Sequence, residues 1–269
     1  ALAAGAAVTG DGAYLRAARD AAAFLRRRHR RDDGTLVRSS TAGRAAGDGV
    51  LDDYAFLAAG LLDVHQVGGD VAHLAWAREL IEILERDFAA ADGGHFETRA
   101  GAETPLGRRA ESFDSVLPSG GAVAVATALR LGALTGEPAL AETAGRHLAA
   151  RSSLMARLTI DLAAWLDAAL LAAGPLVDVV IAGDADDPRA AALARAALGT
   201  WAPWVVVGHA PASGPDAGLL ALVPAWAGKA ADGAGARAYV CRRGSCAAPT
   251  GDPGEVVRAT RVDPSATFL

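Results

Sequence analysis

Apolar positions in the first two-thirds of the chain recur at helical spacing, in two alternating styles. Residues 11–30 are amphipathic: Leu15, Ala18, Ala22 and Leu25 share one face, with Arg16, Arg19 and Asp20 off it. Residues 50–67 open Leu51-Asp52-Asp53-Tyr54-Ala55-Phe56-Leu57 and then run almost wholly apolar. Residues 71–88 are one-sided again, with Leu74, Ala77, Leu80, Ile81 and Leu84 set against Arg78, Glu79, Glu82 and Glu85. Residues 118–134 are apolar apart from Ser119, Thr127 and Arg130, and 138–150 are amphipathic. Residues 158–173 are largely apolar, with Asp161 and Asp167 as exceptions. A helix apolar on every side must be buried on every side. The alternation therefore predicts inner helices paired with outer ones.

The junctions repeat too. Thr9-Gly10-Asp11, Gly68-Gly69-Asp70 and Thr135-Gly136-Glu137 each end one helix and start the next. Glycine suits the left-handed position after a helix, and the acid suits the N-terminus that follows. The three glycines are 59 and 67 residues apart, so each two-helix unit carries a long return loop. The expected fold is mainly α: a partial α/α toroid built from helical hairpins over residues 1–174, with about three and a half hairpins and an incomplete ring. After Gly174 the pattern changes to short apolar strands at 176–182, 204–207 and 238–240, with a helix at about 188–198. This predicts a small α/β lobe with parallel pairing over residues 175–269.

Long loops at 31–50, 89–117 and 151–157 would deliver the chain to the inner-helix N-termini. One rim then gathers Asp52, Asp53 and Tyr54, then Glu111, Asp114 and Ser119, then Asp161. Carboxylates accept hydrogen bonds from sugar hydroxyls, and a pair of them can act as general acid and base. Asp53, Asp114 and Glu111 are the candidate catalytic residues. Asp52, Tyr54, His95 and Ser119 are the candidate ligand contacts, His95 through Asp92-Gly93-Gly94-His95-Phe96. The competing reading is that Asp and Ser here are helix caps.

Ser119 sits in Leu117-Pro118-Ser119-Gly120-Gly121, which lacks the glycine two before the serine that a nucleophile elbow requires. Gly183-Asp184-Ala185-Asp186-Asp187 lacks the Gly-x-Gly-x-x-Gly spacing, and its charge repels phosphate. His and Cys do not fall at metal-ligand spacing, so neither metal nor cofactor is expected. Cys241-Arg242-Arg243-Gly244-Ser245-Cys246 places arginines beside two thiols, making Cys241 and Cys246 a redox candidate. The alternative is that these thiols are structural or incidental.

Composition changes the picture little. Hydrophobic residues make up 52% and charged residues 21%, with a net charge of −5. The one basic run, Arg26-Arg27-Arg28-His29-Arg30-Arg31, falls at a helix end where it complements the dipole. Nucleic acid is not an expected partner. Membrane is not one either, since no apolar run reaches the roughly 20 residues of a span. Two cysteines favour a reducing, cytoplasmic compartment. A single lysine, Lys229, and abundant alanine suggest a GC-rich bacterial coding bias. The chain opens on Ala1 and its one methionine is Met155, so an internal start within a longer protein is expected.

Leu51-Asp52-Asp53-Tyr54-Ala55-Phe56-Leu57, Asp92-Gly93-Gly94-His95-Phe96, Asp114 with Pro118-Ser119-Gly120, Val179-Val180-Ile181-Ala182-Gly183-Asp184 and Ala238-Tyr239-Val240-Cys241 with Cys246 occur in that order. Together they resemble the C-terminal region of the thioredoxin-domain-containing (DUF255) family along nearly the whole chain. The resemblance implies an N-terminal thioredoxin-like domain in the parent protein. It also implies an α/α toroid of the six-hairpin glycosidase type, related in fold to N-acylglucosamine 2-epimerases. It carries no settled activity, and the epimerases' catalytic histidines map to no position here. Ser115, Gly121 and His95 depart from the family's usual Gly, Asn and Tyr. The leading expectation is a carbohydrate-related domain holding a small sugar-like ligand at the rim. The others are a non-catalytic module presenting substrates or partners to the linked thioredoxin-like domain, and thiol chemistry at Cys241 and Cys246.

Overall fold

The computed structural model describes residues 1–105, 107–110, 113–184, 186–200 and 202–261. The chain is mainly α, about 53% helical. Helices α1 (Leu2–Thr9) and α2 (Gly12–Arg28) form a hairpin, as do α3 (Leu51–Gly68) with α4 (Val71–Asp87) and α5 (Gly120–Thr135) with α6 (Pro138–Met155). Helix α7 (Ala163–Ala173) follows a single 3-10 turn at Ile160–Leu162. The first members α1, α3, α5 and α7 pack side by side, and each second member packs on its own partner and on the next first member.

Burial follows the predicted alternation where a helix has neighbours on both sides. Helix α5 buries residues around its whole circumference, from Ala122 through Val125 and Leu129 to Leu134. Helix α4 buries one side, the predicted Leu74, Ala77, Leu80, Ile81 and Leu84 together with Trp76 and Ile83. The ends of the row differ. Helix α7 was expected to be an inner helix, yet it buries only Trp165 and Ala168 and leaves Leu170 55% exposed. At the other end Leu2, Tyr14 and Phe24 are exposed. A helix at the end of a row has one neighbour fewer, so its apolar outer side stays open.

The three tight turns form as the sequence suggests. Gly10, Gly69 and Gly136 have φ of 71°, 76° and 76°, the left-handed conformation that glycine adopts without a Cβ penalty. Asp11 and Asp70 then cap the next helices, accepting from the N–H groups of Ala13 and Ala72. Glu137 makes no such cap and binds Arg78 on α4 instead, at 3.1 Å.

An antiparallel hairpin, β1 (Val37–Thr41) and β2 (Arg44–Asp48), lies in the loop between α2 and α3, where no strand was expected. Beyond Gly174 come β3 (Val177–Ala182), α8 (Pro188–Leu198), β4 (Val205–Ala210), α9 (Ala217–Leu222), β5 (Arg237–Arg242), β6 (Ser245–Cys246) and α10 (Pro253–Thr260). The sheet runs β4-β3-β5-β6. Strands β3 and β4 are parallel, as a strand–helix–strand crossover requires, whereas β5 runs antiparallel to β3. The sheet is thus mixed rather than all parallel.

The two faces of this sheet serve different cores. Val180, Ala182, Val206 and Ala210 join the helical core, while Val179, Ile181, Val205 and Val207 pack with Leu193 of α8 and Val256 of α10. Period-two alternation produces this split. The sheet docks at the tight-turn ends of α3 and α5. Gln66 accepts from Val207 N–H at 3.0 Å, and the Gln66 carbonyl accepts from His209 Nε2 at 2.8 Å. The Trp226 indole donates to the Leu134 carbonyl at 3.0 Å. Gly208 is required here, because a Cβ would run into the Trp226 ring and into Leu134. Among the described residues, no helix is long and apolar enough to cross a membrane.

Candidate functional site

Asp52, Asp53, Asp114 and Ser119 lie around the N-termini of α3, α5 and α7, and each has a defined partner; Asp161 lies in the 3-10 turn before α7, where its main-chain carbonyl accepts from Asp114 N–H at 2.8 Å. Asp53, in the first turn of α3, accepts from Val50 N–H at 2.9 Å and lies 3.5 Å from Arg38. Asp52 reaches sideways to α5. Its carboxylate accepts from Gly120 N–H, and a Cβ at Gly120 would collide with Asp52 Oδ1. Desolvation raises the Asp52 pKa, and the nearby charges of Asp53 and Glu97 add to the rise. Asp114 spans two helix starts: Oδ1 accepts from Ser119 N–H and Oδ2 from Ala164 N–H, both at 2.8 Å. Ser119 caps α5 through Ala122 N–H at 3.2 Å. Tyr54 is fully buried, its ring against Phe88 and its hydroxyl accepting from Leu36 N–H at 2.7 Å. Glu111 lies outside the described residues.

These bonds satisfy the orphan N–H groups of helix N-termini, where negative charge is also favoured by the dipole. A carboxylate with both oxygens engaged, as in Asp114, has little capacity left for proton transfer. None of these residues lines the two clefts beside the sheet, one around His209 and one around Val205.

His95 does not face the rim. It is fully buried, with Nε2 3.2 Å from Glu85 on α4 and its ring stacked 4.4 Å from that of His147 on α6. His147 Nε2 lies 3.0 Å from Glu85 Oε2. The three residues could be taken for a metal site, since their ligand atoms lie within 4.8 Å of one another. The proton positions argue otherwise. Gly94 N–H donates to His147 Nδ1 at 2.9 Å, so that nitrogen is an acceptor and the ring proton sits on Nε2, aimed at Glu85. A metal at Nε2 would need the proton on Nδ1, where a backbone N–H already points. The donor set therefore makes a clasp that ties the 93–96 loop to two outer helices. Burial raises the Glu85 pKa, but the hydrogen bonds from His147 and His95 outweigh it and hold the carboxyl at about 2. Sequence reasoning missed Glu85 and His147 because the three residues come from separate elements, 10 and 52 positions from His95.

The larger cleft, of about 660 Å³, opens at the carboxyl ends of β3 and β4. Gly183, Asp184, His209 and Ala210 form its floor, with Ala194 of α8 and Leu15 of α2 among its mostly apolar walls. In open α/β sheets this is the position where ligands are commonly bound.

Cys241 and Cys246 are joined by a disulfide and stand directly opposite each other on β5 and β6. Arg243 and Gly244, at φ of 49° and 78°, form the two-residue turn between them. Four intervening residues thus place the two sulfurs across a hairpin.

No family model matches the chain. The chain is 29% identical to spermatogenesis-associated protein 20 of Homo sapiens over 263 residues, covering 93% of this chain and 33% of that protein. The namesakes of Rattus norvegicus and Mus musculus are 29% and 28% identical, each over 77% of this chain and 26% of the relative. The chain thus spans about a third or less of the length of the curated relatives it matches, and over most of its own length it is similar to spermatogenesis-associated protein 20.

Proposed function

We propose that this chain is part of the scaffold of a thioredoxin-domain-containing protein. In this reading it is an arc of an α/α toroid of the six-hairpin type, and it acts as a non-catalytic module that presents a substrate or partner to the linked thioredoxin-like domain. The observation that carries the non-catalytic reading is the engagement of the rim carboxylates: Asp52, Asp53 and Asp114 all accept from helix N-terminal N–H groups. The toroid reading is supported by the inner and outer rows of helices and by the apolar surface left open at Leu2 and Leu170, where further hairpins of the same parent chain would pack. The cleft beside His209 is the concavity in which the presented segment would lie.

The test uses the full-length parent. Ala194→Trp should fill the cleft, raising KM for a protein disulfide client while leaving turnover of a small disulfide unchanged. Equal kinetics on both substrates would reject the presenting role. A sugar-like ligand at the rim remains the second reading, favoured by the raised pKa of Asp52 beside Asp53 and Glu97. A glycan and sugar-phosphate binding screen separates the two. A ligand bound by the parent and lost in Asp53→Asn, with folding intact, would establish the sugar site.

A further inference from the structure

Across the four strands of the sheet, one row of directly opposed residues reads Val206, Asp178, Cys241, Cys246. Opposed side chains on neighbouring strands lie on one face, with Cβ atoms about 4.5–5.5 Å apart. Asp178 therefore lies on the same face as Cys241 and directly across from it. Asp178 is buried within the second strand of the sheet, at 7% exposure. The two sulfurs are not equivalent: Cys241 is 1% exposed, whereas Cys246 lies in the exposed tip of the hairpin with Arg243 and Ser245. An incoming thiolate can reach only Cys246, and Cys241 is then the leaving group.

We propose that Cys241–Cys246 is an exchangeable disulfide, reduced by a dithiol of the thioredoxin or dithiothreitol class, with Asp178 as the general acid that protonates Cys241. The attacking thiolate forms a bond to Cys246 Sγ, the Cys241–Cys246 bond breaks, and its electron pair passes to Cys241 Sγ. Cys241 Sγ takes the proton of the Asp178 carboxyl. The second thiol of the reductant then attacks the reductant's own sulfur in the mixed disulfide and releases Cys246. The dithiol ends as a disulfide, both cysteines end as thiols, and Asp178 regains its proton from solvent. Two electrons move from the dithiol to the protein.

Desolvation raises the pKa of Asp178, so its neutral, proton-donating form is favoured, with the charge of Lys229 opposing that rise. Lys229, the one lysine of the chain, is itself buried and donates to the Ala225 carbonyl. Arg242 is committed to the carbonyls of Ala259 and Arg261. Arg243, in the exposed turn that joins the two strands, adds positive charge to the hairpin tip that a thiolate approaches. The proposal does not depend on the presenting role, because any dithiol of this class suffices as reductant.

Two measurements on the unsubstituted chain test the exchange. In native buffer, dithiothreitol should reduce the disulfide without denaturant, as read by maleimide mass-tagging. Glutathione should be trapped at Cys246 in peptide mapping. Reduction that requires denaturant, or glutathione found on Cys241, would overturn the proposal. The role of Asp178 is read from Asp178→Asn, with folding checked by circular dichroism. A folded variant should be reduced about 10²-fold more slowly, the size of a general-acid contribution. Reduction of that variant at the unsubstituted rate would remove Asp178 from the step.

Discussion

Asp114→Ala separates a structural rim from a catalytic one. The carboxylate holds the starts of α5 and α7 through two 2.8 Å bonds, to Ser119 N–H and Ala164 N–H. Hydrogen bonds to a charged group contribute about 1.5–3 kcal/mol each, and a half-buried side chain belongs at the lower end. Removing both bonds should therefore cost about 3 kcal/mol. For a chain of this size that corresponds to a Tm lower by roughly 6–12 °C. Asp114→Asn keeps one oxygen acceptor and should lose about half as much. Ser119→Ala removes only the cap to Ala122 and should cost about 1 kcal/mol. Urea and thermal unfolding followed by circular dichroism would measure the series. If both Asp114 variants melt within about 1 °C of the parent sequence, the carboxylate is not a helix brace and the argument for a non-catalytic rim fails.

Acid should destabilise the fold through buried groups. Burial, aided by the nearby His209, holds His65 at about 3, below its ordinary 6.5. Its contribution is fully present above pH 6.5 and is lost as pH falls from there towards 3, because the unfolded chain takes up the proton first. Glu85 works in the same direction lower down, with stability present above pH 4.5 and lost towards 2. Urea midpoints at pH 7 and pH 4.5 should fall for the parent sequence and fall distinctly less for His65→Phe; equal drops would refute the assignment. Gly10→Ala and Gly69→Ala both force a left-handed alanine, at a cost of about 1–2 kcal/mol. Gly69→Ala should cost more in the same denaturation assay, because its Cβ also meets His209 Cγ and Cβ at 3.2 and 3.3 Å, whereas Gly10 has open space. Gly208→Val should lower stability by about 3 kcal/mol through overpacking against Trp226, and a near-normal urea midpoint would contradict the close docking of sheet and helices.

The parts legible in the sequence were those governed by local rules. Helical period marked α2 through α6, and Gly-acid pairs marked the tight turns, because both depend on residues a few positions apart. The position of the rim acids was legible, but their use was not: a cap on another helix, such as Asp52 on α5, cannot be told from a ligand contact without knowing which helix lies beside it. The Glu85–His95–His147 clasp was illegible for the same reason, joining an outer helix to a loop and to another outer helix. The β1–β2 hairpin escaped notice because its strands are short and mostly exposed, without apolar alternation. The pairing of Cys241 with Cys246 had a readable clue in Arg243-Gly244, a dipeptide that can close a two-residue hairpin.

The attachment of Gln66 has a consequence for how this molecule behaves in a crowd. Strand β4 is the outer strand of its sheet, and an outer strand offers free N–H and C=O groups to any passing chain. The Gln66 side chain takes one N–H of that edge, at Val207, and the Gln66 main-chain carbonyl holds the His209 ring beside it. One residue at the end of a helix thereby blocks part of the β4 edge against pairing with a second molecule. Loss of that shield would show first as self-association, before any loss of fold.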